Sequence, residues 1–141
     1  MISKIDHIGI AVKDLEARLG VYRDAFGLAG IHVEDVPTEN ARVGFVPVGD
    51  SEIELLESTT PDGVLARFIE KRGEGLHHIA LAVDDCQTML DRLRSAGVRT
   101  LDETPRAGAR GSKVGFVHPS ATGGVLIELV QHLKQEGKDG R

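Results

Sequence analysis

A chain of 141 residues, 40% hydrophobic and 28% charged, has the size and composition of one globular domain or of two fused halves of roughly 70 residues each. A net charge of −5 without a dense basic stripe argues against nucleic acid as the main partner, and no apolar run approaches the ~18 residues that a membrane span needs. The single cysteine, Cys86, excludes an intrachain disulfide, and the chain opens without the apolar core of a signal peptide, so a cytoplasmic protein is the expectation.

Residues 5–12 alternate, with His7, Gly9 and Ala11 pointing one way and Ile8, Ile10 and Val12 the other, as in a strand with one apolar face. Asp14 suits a helix N-cap, and Glu16 falls in the first turn. Leu15, Leu19, Tyr22 and Phe26 follow at helical spacing, and Gly27 supplies the stop. Strands are expected near 31–36, 42–48 and 52–57, with Gly49-Asp50 as the turn between the last two. Residues 58–75 read as a connector. Pro61 breaks the strand, Val64, Leu65, Phe68 and Ile69 mark a short amphipathic helix, and Gly73 ends it. A strand over 76–83 places His78, Ala80 and Ala82 on one face. A helix from about 86 carries Met89, Leu90 and Leu93 and stops at Gly97, with Cys86 packed at its start. Strands follow near 98–101, 113–117 and 125–131, and residues 133–141 form a polar tail.

Two stretches occur twice. Ile5-Asp6-His7-Ile8-Gly9-Ile10-Ala11-Val12-Lys13-Asp14 returns in the second half as Leu76-His77-His78-Ile79-Ala80-Leu81-Ala82-Val83-Asp84-Asp85. Glu52-Ile53-Glu54-Leu55-Leu56 returns, at nearly the same offset, as Leu126-Ile127-Glu128-Leu129-Val130. The expectation is an α+β fold in which two tandem βαβββ modules, about 4–57 and 76–131, form a curved, mostly antiparallel sheet within a single domain spanning 1–141. One His and one carboxylate per copy give four ligands for one metal ion in the cleft: His7, Glu54, His78 and Glu128. Imidazole nitrogen with carboxylate oxygen suits divalent Zn, Co, Mn, Fe or Ni, and four protein ligands leave octahedral positions open for a substrate oxygen. A Glu inside the apolar run 125–130 is costly to desolvate unless a positive charge meets it. Glu52 shares the parity of Glu54 and is its rival as ligand. His77 has the opposite parity to His78 and is expected on the other side of the sheet. His32, His118 and His132 lack repeat partners and are assigned structural or solvent-exposed places.

These residues resemble the vicinal-oxygen-chelate superfamily over about 4–131, and within it the methylmalonyl-CoA epimerase family. The resemblance is carried by residues 5–12, 52–57, Phe68 to Ala80, Gly111 to Pro119 and Gly123 to Leu129. It implies a metal-dependent epimerase that inverts C2 of methylmalonyl-CoA through a metal-stabilised enolate. His7, Glu54, His78 and Glu128 would hold Co, Mn, Zn or Ni, and Glu128 would also act as the proton-transferring base. The acyl-CoA substrate brings phosphates, for which Arg106, Arg110 and Lys113 in a glycine-bearing loop are the candidate cations. Members using two bases carry a Glu in the strand before Glu54; here the position falls near Gly44, so the second base is missing or supplied elsewhere. Glu52 is one substitute. The competing readings are a glyoxalase I-type lactoylglutathione lyase, which uses the same four ligand types, a metal-free small-molecule-binding module, and an extradiol dioxygenase, whose triad lies within one module. A homodimer is expected from the sheet edges.

Overall fold

A computed structural model describes residues 1–133; most of the tail, 134–141, lies outside the described residues. Eight strands form one sheet in the order β2-β3-β4-β1-β5-β8-β7-β6. The first module contributes β1 (Ile2–Ala11), α1 (Leu15–Gly20), β2 (His32–Val36), β3 (Ala41–Val48) and β4 (Ser51–Ser58). Helix α2 (Val64–Arg72) crosses to β5 (Gly75–Val83), which is followed by α3 (Cys86–Ser95), β6 (Arg106–Ala107), β7 (Lys113–Val117) and β8 (Ile127–Gln131). Two pairings are parallel, β1 with β4 and β5 with β8, and the other five are antiparallel. The α+β architecture with a curled, mostly antiparallel sheet is therefore as expected.

The strand order is the same from either end under exchange of modules, and the seam is the antiparallel pair β1–β5. There Ile8 faces Ile79, its own counterpart in the repeat, so this pair marks a pseudo-twofold axis.

Each module packs one helix against the convex face. Asp14 caps α1 by accepting from the Ala17 amide, and Asp85 caps α3 by accepting from the Thr88 amide. Leu15 and Leu19 bury against Val46 and Leu55, while Cys86 and Leu90 bury against Val117 and Leu129. Glycines make room for both helices. A Cβ on Gly44 would lie 2.8 Å from Leu19, and one on Gly115 would lie 3.0 Å from Leu90.

Two expectations change in detail. The first helix does not run regularly to Phe26: beyond Gly20 it widens into a π-turn, Val21–Ala25, where the Phe26 amide donates to the Val21 carbonyl. The extra residue per turn rotates Phe26 outward, leaving it 66% exposed. The strand expected at 98–101 is reduced to a single bridge, Thr100 to Val117. Asp102 accepts from the Phe116 amide (2.8 Å), which takes the place of a backbone partner, and Pro105 has no N–H to continue a ladder. The short strand Arg106–Ala107 occupies the outer position instead.

Candidate active site and metal centre

The concave face is built by two matching rows across the sheet. One runs Phe45, Glu54, Gly9, His78; the other runs Phe116, Glu128, Ala80, His7. Each row crosses the seam, so each His lies beside the carboxylate supplied by the opposite module. His7, Glu54, His78 and Glu128 are all buried. His7 Nε2 is 3.1 Å from His78 Nε2, and both lie 3.0 Å from Glu128 Oε1. His7, Glu54 and His78 each present a donor atom within 4.8 Å of the others. Bonds of about 2.1 Å at right angles separate neighbouring ligand atoms by about 3 Å, so the two imidazoles and Glu128 match one face of an octahedral shell. The donor set fits a divalent cation of borderline softness.

Two β-bulges decide how the histidines are held. Between Ile5 and His7 the register slips by one residue, making Asp6 the extra residue on β1. Between Gly9 and Ile10 it slips again, making His77 the extra residue on β5. Asp6 and His77 are counterparts in the repeat, each directly preceding its module's ligand His, so the bulges are themselves duplicated. Each bulge residue turns into the cavity beside its neighbouring His. His7 Nδ1 is 2.8 Å from Asp6 Oδ2 and 3.3 Å from Glu54 Oε2; facing only carboxylate oxygens, it carries the proton and donates. His77 Nδ1 meets His78 Nδ1 at 3.0 Å. Both Nδ1 atoms are thus occupied, and both Nε2 atoms are left facing each other, as metal-ligating histidines require. Strict alternation assigns His77 to the opposite face; the bulge overturns that expectation. His132, expected to be structural or exposed, is half-exposed but donates from Nε2 to Asp6 Oδ1 at 2.6 Å and lines the cavity. His32 and His118 stay outside the cluster, stacked on Phe45 and capping a turn, respectively.

The electrostatics are those of a site with excess negative charge. Burial opposes a charge on His7, yet hydrogen bonds to Asp6 and Glu128 and the charge of Glu54 push its pKa up to about 10. Burial, with the charge of Glu128, pushes Glu54 up to about 7 against the pull of His7. Burial would raise Glu128 too, but hydrogen bonds from His7 and His78 bring it down to about 2. Asp6 falls well below the usual carboxylate range, because His132 and His7 outweigh burial. Burial and the neighbouring His78 lower His77 to about 4, keeping it neutral.

A cavity of about 420 Å³ opens over the cluster, walled by Val36, Val43 and Leu56 from module one, by Leu65 from the connecting helix α2 and by Phe116, Leu126 and Val130 from module two. Arg106 and Arg110 line it. The Arg106 guanidinium lies 4.9 Å over the Phe116 ring and pairs with Asp102; that of Arg110 lies 4.1 Å over Phe45 and holds Glu52 at 2.7 Å. Lys113 points instead into a neighbouring cleft that shares Arg106 as its wall. Glu52 is therefore committed to Arg110 and lies outside the donor cluster. Gly44 faces helix α1, and the residues that β3 directs into the cavity are Ala41 and Val43. Asp6, His77 and His132 had no local signal as site residues. The one available clue was that Asp6 and His77 occupy equivalent points of the repeat.

The profile of the Glyoxalase/Bleomycin resistance protein/Dioxygenase superfamily matches residues 6–116. An ethylmalonyl-CoA/methylmalonyl-CoA epimerase of Cereibacter sphaeroides is 38% identical over 133 residues, covering 93% of this chain and 99% of its own. The structure of a Streptomyces coelicolor methylmalonyl-CoA epimerase variant in complex with 2-nitronate-propionyl-CoA superposes with a TM-score of 0.88 at 36% identity, covering 95% of this chain and 100% of that one. A methylmalonyl-CoA epimerase in complex with methylmalonyl-CoA and NH4+ gives 0.86 at 37% identity, with 93% and 95% covered.

Proposed function

The chain belongs to the Glyoxalase/Bleomycin resistance protein/Dioxygenase superfamily, and from that membership we propose that it is a metal-dependent epimerase of methylmalonyl-CoA. The observation that carries this reading is the cluster itself: two imidazole nitrogens and Glu128 at mutual distances of 3.0–3.1 Å, beneath a cavity walled by apolar side chains and two arginines. The full-length similarity to acyl-CoA epimerases supports it.

His7, His78, Glu54 and Glu128 would hold the cation. When bound, it supplies Lewis acidity to the thioester carbonyl and carboxylate oxygens of the substrate. The residues do the rest. Asp6 and His77 fix the two imidazoles. Glu128, kept ionised, takes the proton from C2, which lies between two carbonyl groups and is acidified by both. The apolar walls exclude water from the enolate, and Phe45 and Phe116 hold the two guanidiniums at the rim, where phosphates of the acyl carrier would meet them. Lys113, in the adjoining cleft, would serve the far end of the same carrier. A homodimer is the proposed assembly, since β2 and β6 end the sheet with unpaired edges. Among the described residues no helix is long and apolar enough to cross a membrane.

The test is C2 proton–deuteron exchange and inversion of methylmalonyl-CoA in D₂O, with chelated and metal-reloaded protein. Metal-dependent exchange with inversion is the expected result. No exchange, together with turnover of the methylglyoxal–glutathione adduct, would replace this reading with lactoylglutathione lyase.

A further inference from the structure

Inverting a carbon centre needs one proton to leave and another to arrive on the opposite face, and Glu128 serves only one face. Resting on the epimerase reading, we propose that Glu39 is the second acid–base group and delivers the proton to the face of C2 that Glu128 does not serve.

The argument begins with what β3 does not provide. Its cavity-facing residues are Ala41 and Val43, neither of them titratable, and a side chain at Gly44 would meet α1 instead. Four carboxylates line the cavity: Asp6, Glu39, Glu54 and Glu128. Three are committed. Asp6 holds His7 and His132, and Glu54 and Glu128 belong to the donor cluster. Among the described residues Glu39 alone of the four has no hydrogen-bond or ion-pair partner. The other groups in the cavity cannot replace it. His77 is engaged with His78, and His132 with Asp6. Arg106 and Arg110 are paired with Asp102 and Glu52 and keep their protons. The hydroxyls of Thr38 and Ser112 are too weakly acidic to be left as alkoxides.

Glu39 ends the 3₁₀ turn Pro37–Glu39, and Asn40 then turns in the left-handed region at φ 51° to start β3. This places the carboxyl on the module-one rim, whereas Glu128 rises from β8 of module two. Glu39 is exposed at the cleft mouth, and partial desolvation there raises its pKa, as does the charge of Glu128, with Arg106 opposing. The side chain also reaches water at the cleft mouth, which lets it recover a proton after each turnover.

The step balances within the chain. The Glu128 carboxylate takes the C2 proton, and the C–H electron pair moves into the flanking carbonyls as an enolate. C2 then forms a new C–H bond as the Glu39 O–H bond breaks, leaving Glu39 ionised and Glu128 protonated. Exchange with water resets both, and the opposite epimer runs the roles in reverse.

The experiment follows each epimer of methylmalonyl-CoA in turn in D₂O with metal-loaded wild type, Glu39→Gln and Glu39→Ala, reading exchange at C2 and inversion separately. Both variants should exchange the epimer whose C2 proton faces Glu128 near the wild-type rate while inversion of either epimer falls about a hundredfold or more, and Glu39→Asp should recover part of it. Inversion at the wild-type rate in Glu39→Gln would overturn the assignment. So would exchange and inversion falling together for both epimers, which marks a binding role. Absence of both reactions in wild type would overturn the epimerase reading itself, and with it any role for Glu39 in inversion.

Discussion

At the scale of single residues, the site is controlled by groups too small or too far from the chemistry to look important. Gly9 is the clearest. A Cβ there would lie 2.2 Å from His78 Cε1 and 2.5 Å from its Nδ1, so the imidazole occupies the space a side chain would need. Gly9→Ala should push His78 off its Nε2-inward position and weaken metal binding by about 10–100-fold, measured by competition with a chelating dye, with the fold intact by circular dichroism. Glu128→Gln should lower C2 exchange far more than thioester binding; equal losses would assign Glu128 to structure. Protons compete with the cation, and the sign follows from the raised pKa values of His7 (about 10) and Glu54 (about 7). Affinity should climb with pH, by about tenfold per unit between 7 and 10 as one proton is displaced, and more steeply below 7 as Glu54 adds a second. Calorimetry in buffers of different ionisation enthalpy reads that proton release directly; affinity flat across this range would contradict the charge arrangement described above.

At the scale of elements, the duplication is kept where the sheet meets its helices. Gly44 with Leu15 and Leu19 repeats as Gly115 with Cys86 and Leu90. At either glycine a Cβ would press on the terminal methyl groups of the leucine behind it. Gly115→Val should cost about 1–3 kcal/mol through overpacking, and Leu90→Ala about 2–5 kcal/mol through a cavity, both read from denaturant midpoints. The elements most legible in the sequence were those set by local chemistry: capped helices at Asp14 and Asp85, the turn at Gly49-Asp50, and strands with strict alternation. Those that differed were set by distant partners. Residues 98–101 carry strand-like side chains, but Asp102 occupies the Phe116 amide that a ladder would use. His77 reads as outward by alternation, and its bulge exists because β1 and β5 pair across the seam.

For the whole molecule, the site is a product of pairing two half-sheets. Each module supplies one imidazole and one carboxylate, His7 with Glu54 and His78 with Glu128, and only the seam brings the two pairs together, His78 sharing a row with Glu54 and His7 with Glu128. A bound cation would therefore tie the modules across their pseudo-twofold axis and stabilise the entire domain. At a free metal concentration of about 100 Kd the linkage is about 2.7 kcal/mol. Chelation should then lower the thermal midpoint by about 5–10 °C, with one transition before and after. Two separate transitions on chelation would mean that the halves hold together less tightly than the continuous sheet implies.

The sequence by itself determined the duplication, the α+β class, the four buried polar residues of the cluster and the family they resemble, because all of these are written in local alternation, spacing and repetition. Only the tertiary structure decided which residues stand behind the cluster. Asp6, His77, His132 and Glu39 reach the cavity through a bulge, a strand's end or a turn, and the partners that place them are distant along the chain. One residue of register slip reverses the face a side chain occupies, and that slip is fixed by the pairing of strands, not by the strand's own composition.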